Sequence, residues 1–169
     1  AARIQQMLAS ARLDTVITSG SMVGNFPGGR VLRIEDAPST RPTARAVRGN
    51  DPVYAIFTSG STGQPKAASV FHSGFGNLLD WYRTELGLGE NDRTLVISSP
   101  SFDLTQKNLF TPLITGGTLV LDECQTYDIT RILGLIRDHG VTLVNCTPSA
   151  FYPLVDAAGI DGFAAISSL

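Results

Sequence analysis

The stretch Phe57–Lys66, FTSGSTGQPK, continues the apolar run VYAI and holds two glycines, four hydroxyl side chains and one terminal lysine. A strand that runs into a loop so bare of bulk offers backbone access. Gly60 and Gly63 allow tight turning and leave N–H groups unobstructed by Cβ atoms. Thr58, Ser59, Ser61 and Thr62 add hydroxyl donors, and Lys66 supplies a compact positive charge. Together they describe a cradle for phosphate oxygens. It is not a Walker A loop, because Pro65 precedes the lysine and Ala67 follows it, where that motif requires glycine and a hydroxyl residue.

Working outward, the pattern around this loop predicts an α/β fold. VYAIFTS and AASVF read as strands, and RTLVISS as a strand buried on both faces. Ser73 is placed to cap a helix through Leu86 that carries Phe75, Leu78, Leu79, Tyr82 and Leu86 on one face, with Gly87 as its stop. A second helix runs through Leu109, Phe110, Leu113 and Ile114 to Gly116–Gly117, with a kink expected at Pro112. TLVL is a strand, Asp128–His139 a helix ending at Gly140, VTLVNC a strand and Ser149–Ala158 the last helix. Such alternation implies a mostly parallel sheet flanked by helices, with the glycine-rich loop beyond the carboxyl end of a strand, where ligands of such sheets bind.

Upstream, residues 2–12 read as a helix, TVIT and RVLRI as strands, and GNFPGG as the turn between them. Glu35–Pro52 holds three prolines, several charges and no periodicity, which predicts a surface loop. The expected division is therefore 1–50, a preceding helix–strand segment with its linker, and 51–169, an α/β subdomain carrying the loop.

Composition narrows the partners. The 169 residues include 43% hydrophobic and 17% charged side chains, which suits a globular chain and excludes disorder. Thirteen Lys and Arg against fifteen acids leave a formal charge of −2, which gives no basic surface for nucleic acid. No basic-then-apolar leader opens the sequence and no apolar run reaches the ~18 residues of a membrane span. Cys124 and Cys146 form no C-x-x-C pair, and a reducing cytoplasmic setting is expected.

The loop resembles the phosphate-loop signature of the adenylate-forming superfamily, roughly Tyr-Thr-Ser-Gly-[Ser/Thr]-Thr-Gly-x-Pro-Lys-Gly. Thr58 to Lys66 match every fixed position; Phe57 stands for the tyrosine and Ala67 for the final glycine. A second stretch, Ser99–Leu121, SPSFDLTQKNLFTPLITGGTLVL, resembles the Phe-Asp segment of nonribosomal peptide synthetase adenylation domains, and VTLVNCTPSAFYPL, Val141–Leu154, resembles their next segment. The resemblance implies that Thr58, Ser59, Gly60, Ser61, Thr62, Gly63 and Lys66 hold the phosphates of ATP with Mg²⁺. It implies that Asp103 binds the α-ammonium of an amino acid, and that Leu104, Lys107 and Asn145 help line the side-chain pocket. Read by itself, Asp103 is first an N-cap of the following helix, and the two roles are compatible. Lys107 fits either a pocket for a polar or acidic side chain or a lysine that snorkels outward. His72 and Cys146 read most simply as structural residues.

The resemblance covers nearly the whole chain but part of the family's domain. It implies a partial N-terminal domain of an amino-acid-activating enzyme that passes its aminoacyl-adenylate to a carrier-protein thiol. Its catalytic lysine, adenine-contacting segment and ribose-binding aspartate would lie outside this chain, which is expected to be inactive without those segments. An acyl- or aryl-CoA ligase fragment and a non-catalytic fragment are the alternatives.

Overall fold

A computed structural model describes residues 2–26, 29–40, 43, 46–59, 65–124, 126–159, 163 and 166. Internal contacts divide the chain into two units, Ala1–Ser73 and Gly74–Leu169.

In the first unit, α1 (Ala2–Ser10) is followed by β1 (Thr15–Thr18) and β2 (Arg30–Arg33), which pair in parallel from Thr15 opposite Arg30 to Thr18 opposite Arg33. A 3₁₀ stretch, Gly20–Asn25, follows β1 and overlaps the expected turn, Gly24–Gly29, at its first two residues. The Glu35 carboxylate accepts the Gly20 N–H at 2.9 and 3.0 Å, and this bond, with Arg33 nearby, holds its pKa below the usual value. β3 (Pro52–Ser59) and β4 (Pro65–Phe71) follow, and α1 packs on β4. β3 and β4 are antiparallel, with Thr58 opposite Lys66 and Ser59 opposite Pro65. The glycine-rich stretch thus joins the arms of a hairpin, whereas the sequence reading set it at the end of a parallel strand. The reason is length: the five residues 60–64 cannot make a parallel crossover, which takes a dozen or more.

α2 (His72–Glu85) begins one residue before the expected Ser73 cap. Its first donors are satisfied from outside the helix: the His72 and Ser73 N–H groups donate to the carbonyls of Asp51 and Gly49, each at 3.0 Å.

The second unit contains β5 (Arg93–Val96), α3 (Asp103–Thr115), β6 (Thr118–Leu121), α4 (Ile129–His139), β7 (Leu143–Val144) and α5 (Pro148–Ala158). Its three strands are parallel in the order β6-β5-β7, flanked by helices as the alternation predicts. Leu95, Val120, Ile132, Ile136, Val141, Val144 and Leu154 form the core between sheet and helices. α4 keeps its sequence signals: the Asp128 carboxylate accepts the Arg131 N–H at 3.0 Å, and Gly140 leaves the helix in the left-handed region at φ 58°. α5 starts at Pro148, a residue suited to a first helical position because no N–H is needed there. At Gly117 a Cβ would lie 2.9 Å from the Asp92 carbonyl oxygen, which requires glycine between α3 and β6.

α3 buries a polar face. Thr105, Gln106, Asn108 and Thr111 are buried, whereas Phe110, Leu113 and Ile114 are exposed, the last two at 67% and 56%. The buried side is stitched by hydrogen bonds. Thr105 Oγ1 donates to the Ser99 carbonyl at 2.8 Å, Gln106 Nε2 to the Pro100 carbonyl at 2.6 Å, and Asn108 Nδ2 to the Asn145 carbonyl at 3.1 Å. Apolar periodicity marks a helix face without saying whether that face turns inward. The helix runs on through Pro112, also buried.

Thr111 Oγ1, alone among the buried side-chain oxygens and nitrogens of the described residues, lacks a hydrogen-bond partner. Replacing an orphan hydroxyl by a methyl of the same shape removes its desolvation cost. Thr111→Val is expected to stabilise the chain by about 1 kcal/mol, read as a rise in the urea midpoint at unchanged slope; a lower midpoint would show that the hydroxyl has a partner.

Candidate functional site

Two sets of side chains carry the expected chemistry, one in each unit. In the first, Thr58 and Lys66 face each other across the hairpin, so their side chains stand on one face next to the 60–64 connection. Both are exposed, and Thr58 Oγ1 donates to the Lys66 carbonyl at 3.4 Å. Ser59 ends β3 in register with Pro65. Gly60, Ser61, Thr62 and Gly63 lie outside the described residues. A hydroxyl and an ammonium on one face at the hairpin mouth fit a polyphosphate. Among the described residues no group of three or more His, Cys, Asp or Glu could hold a metal ion, so they provide no protein cage for Mg²⁺.

In the second unit the site lies beyond the carboxyl ends of the parallel strands. Asp103 is the first residue of α3, whose N-cap is Phe102, and its carboxylate accepts the Leu104 N–H at 2.7 Å. An acidic group in a first helical turn is favoured by the helix dipole. Asp103 and Leu104 line a cavity of about 470 Å³ with Ile97 and Ser99 after β5 and Cys146 and Thr147 after β7. Burial pushes the Cys146 thiol pKa up, which keeps it a small, neutral wall residue. A neighbouring cavity of about 510 Å³ shares Ile97 and Ser99 and reaches Asp122 and Tyr127 after β6. There Asp122 and Arg131 pair at 2.5 Å, and the Tyr127 hydroxyl donates to the Ala150 carbonyl, fastening the segment after β6 to α5.

Lys107 stands one turn beyond Asp103. Its ammonium lies 5.3 Å from the Tyr82 ring centroid and donates to the Leu104 carbonyl at 3.4 Å. Burial lowers its pKa, and the Asp103 charge partly offsets that effect. Asn145 follows β7, and its side-chain Nδ2 donates to the Tyr82 hydroxyl at 3.2 Å. The structure therefore brings Asp103 and Leu104 to one cavity, and joins Lys107 and Asn145 through Tyr82. VTLVNC pairs as a strand over Leu143–Val144 alone, and the Asn145 carbonyl just beyond it accepts from the Asn108 side chain.

Tyr82 and Asn108 escaped the sequence reading as site residues. By its spacing Tyr82 is one more apolar position on α2, and it is buried, but its hydroxyl donates to Asn108 Oδ1 at 3.1 Å. The available signal was a tyrosine on a helix's inner face, since a buried phenol needs a partner.

The chain's class is an α/β protein whose candidate site residues gather at a hairpin loop and at the carboxyl ends of a parallel sheet. The chain belongs to the AMP-binding enzyme family, whose model matches residues 1–168. It is 38% identical over 117 residues to surfactin synthase subunit 2 of Bacillus subtilis, a match covering 69% of this chain and 3% of that protein. It is 32% identical over 166 residues to bacitracin synthase 3 of Bacillus licheniformis, covering 94% of this chain and again 3% of the relative. The chain thus spans a small fraction of the curated relatives it matches. Among solved structures, the AMPPNP-bound form of the nonribosomal peptide synthetase FmoA3 aligns with a TM-score of 0.88 at 28% identity, over 98% of this chain and 18% of that one. The alpha-methyl-L-serine-AMP-bound form of the same protein aligns at 0.85 and 28% identity, over 97% and 19%.

The lowered Lys107 pKa has a pH signature. Between its folded value and the unfolded value near about 10.4, the unfolded chain binds the extra proton, so stability rises with pH across that window. The cost of burying the charge is complete below the folded pKa and absent above about 10.4. The stability of Lys107→Met relative to the parent is therefore expected to fall as pH rises through that window. Urea unfolding of both proteins checks this; a constant difference would show that Lys107 is not desolvated.

Proposed function

We propose that this chain serves in amino-acid activation: an amino acid and ATP form an aminoacyl-adenylate with release of pyrophosphate, and the aminoacyl group then passes to a carrier-protein thiol. In this reading residues 51–169 hold the phosphate loop and part of the substrate pocket, and the enzyme works in the cytoplasm. The observation that carries it is the placement of Asp103, a carboxylate at the rim of a 470 Å³ cavity at the head of α3. A fixed anion there suits an ammonium entering a partly desolvated pocket. The AMPPNP and alpha-methyl-L-serine-AMP held by FmoA3 support both reactants, as does the synthetase relationship.

A carboxylate oxygen of the amino acid attacks the α-phosphorus, a new P–O bond forms, and the bond to the bridging oxygen breaks as pyrophosphate leaves. No general base is required, since a carboxylic acid is ionised near pH 7. The chain's own task is positioning and charge balance. Asp103 would hold the ammonium and so aim the carboxylate. Thr58, Ser59, Lys66 and the intervening Gly60, Ser61, Thr62 and Gly63 would hold the departing phosphates. Leu104, Lys107 and Asn145 would bound the side chain. Bound Mg²⁺ would supply further charge neutralisation beside Lys66. The family's catalytic lysine and its adenine segment would come from outside this chain.

In the full-length protein, Asp103→Ala is expected to raise the KM of the amino acid about 100-fold or more while leaving the KM of ATP within about twofold, because it strands a desolvated ammonium. Amino-acid-dependent exchange of pyrophosphate into ATP measures both. Unchanged exchange in the variant would overturn the ammonium assignment and favour an acyl or aryl acid as substrate.

A further inference from the structure

Among the described residues, the cavity at Asp103 is lined by the hydroxyl residues Ser98, Ser99, Thr147 and Ser149. A hydroxyl owns one proton, so a count of protons decides what each can offer a ligand. Thr105 Oγ1, fully buried on α3, lies 2.8 Å from the Ser99 carbonyl oxygen and 2.7 Å from Ser98 Oγ. A carbonyl has no proton to give, so the proton in the first contact belongs to Thr105. The proton in the second must then come from Ser98. Ser98 Oγ is left with lone pairs alone and can meet a ligand only as an acceptor. The other hydroxyls are not so committed. Ser99 Oγ accepts the Ser101 N–H at 3.2 Å and keeps its own proton. Thr147 and Ser149 share one proton across 3.0 Å, which leaves the pair a second to donate.

Ser98 is half-buried and shares the cavity wall with Asp103, and Thr105 stands two residues beyond Asp103 on α3. An ammonium brings three N–H donors, and each one taken out of water needs an acceptor. The Asp103 carboxylate already accepts the Leu104 N–H, which uses part of its own capacity. We infer that Ser98 Oγ is a second acceptor for the substrate's α-ammonium beside Asp103, and that Thr105 is the positioning residue that holds the Ser98 proton away from it. This rests on the amino-acid reading above, in which Asp103 binds that ammonium. A serine hydroxyl free to turn would donate to a neutral or anionic ligand as readily as accept from a cation. Ser98 can turn only by giving up its bond to Thr105, where burial leaves no water to replace it. The fixed proton therefore sets the cavity against acids that lack an ammonium.

The test uses the full-length protein and pyrophosphate exchange with the proteinogenic amino acids. The deaminated form of the best substrate, in which hydrogen replaces the ammonium, serves as competitive inhibitor. Ser98→Ala is expected to raise the KM of the amino acid about ten- to a hundredfold, the range of a hydrogen bond to a charged group. The inhibition constant of the deaminated acid and the KM of ATP should stay within about twofold, whereas a general loss of structure would weaken every ligand. Thr105→Val frees the Ser98 proton and is expected to lose about three- to tenfold of the preference for the amino acid over the deaminated acid. Thr105→Ser, which keeps the hydroxyl, should restore it. In a Ser98→Ala background Thr105→Val should have no further effect, since the two act through one hydroxyl. An unchanged KM in Ser98→Ala, or an equal loss for the amino acid and its deaminated form, overturns the Ser98 assignment. A Thr105→Val effect of the same size in both backgrounds overturns the positioning role. Exchange driven only by acids without an α-ammonium, or by none at all, overturns the activation reading itself and the ammonium contact with it.

Discussion

The amide of Asn108 is the point on which the second unit's site depends. One side chain, fully buried in α3, receives a proton from α2 and gives two, to its own helix and to the backbone after β7. Remove it and three elements lose their common reference. Hydrophobic burial holds sheet and helices together, but it is indifferent to small rotations. Directional bonds to a buried amide are not, because a displaced partner leaves a polar group without water or substitute. The arrangement of Asp103, Leu104 and Lys107 relative to Asn145 and Cys146 follows from that constraint.

This explains why α3 departs from the usual division of helix faces. A helix whose inner side bears Thr105, Gln106, Asn108 and Thr111 gives up apolar contact there and accepts a demand for satisfied partners. Most of the demand is met by loops at the strand ends: the Ser99, Pro100 and Asn145 carbonyls all serve it. Those are the same loops that line the cavities. The polar face therefore ties the helix to the walls of the site.

The sequence was legible where a signal is local. Asp128 and Gly140 mark both ends of α4 through chemistry within a few residues, and the strands of the parallel sheet stand out as apolar runs. The stretch from Phe57 to Lys66 is equally local as a motif. What was not legible depends on partners distant along the chain. The antiparallel pairing of β3 with β4 is a matter of which strand meets which, and the inward face of α3 is a matter of what packs on it. Tyr82 meets Asn108 and Asn145 across 26 and 63 positions, beyond the reach of any spacing rule. Family resemblance pointed to Asp103, Leu104, Lys107 and Asn145, yet carried no sign of the two residues that join them.

The hairpin register has a bearing on how the glycine-rich stretch can change over time. Side chains alternate along β4, so Lys66 shares its face with Ala68 while Ala67 points the other way. A slip of one position would set Ala67 against Thr58 and carry the ammonium to the opposite side of the ribbon. Insertions or deletions between Ser59 and Pro65 are therefore tolerable in one sense alone: the connection can lengthen or shorten only if the pairing of its two ends is conserved. Drift in the identity of the hydroxyl residues is a gradual matter, whereas drift in the count of paired residues is all or none.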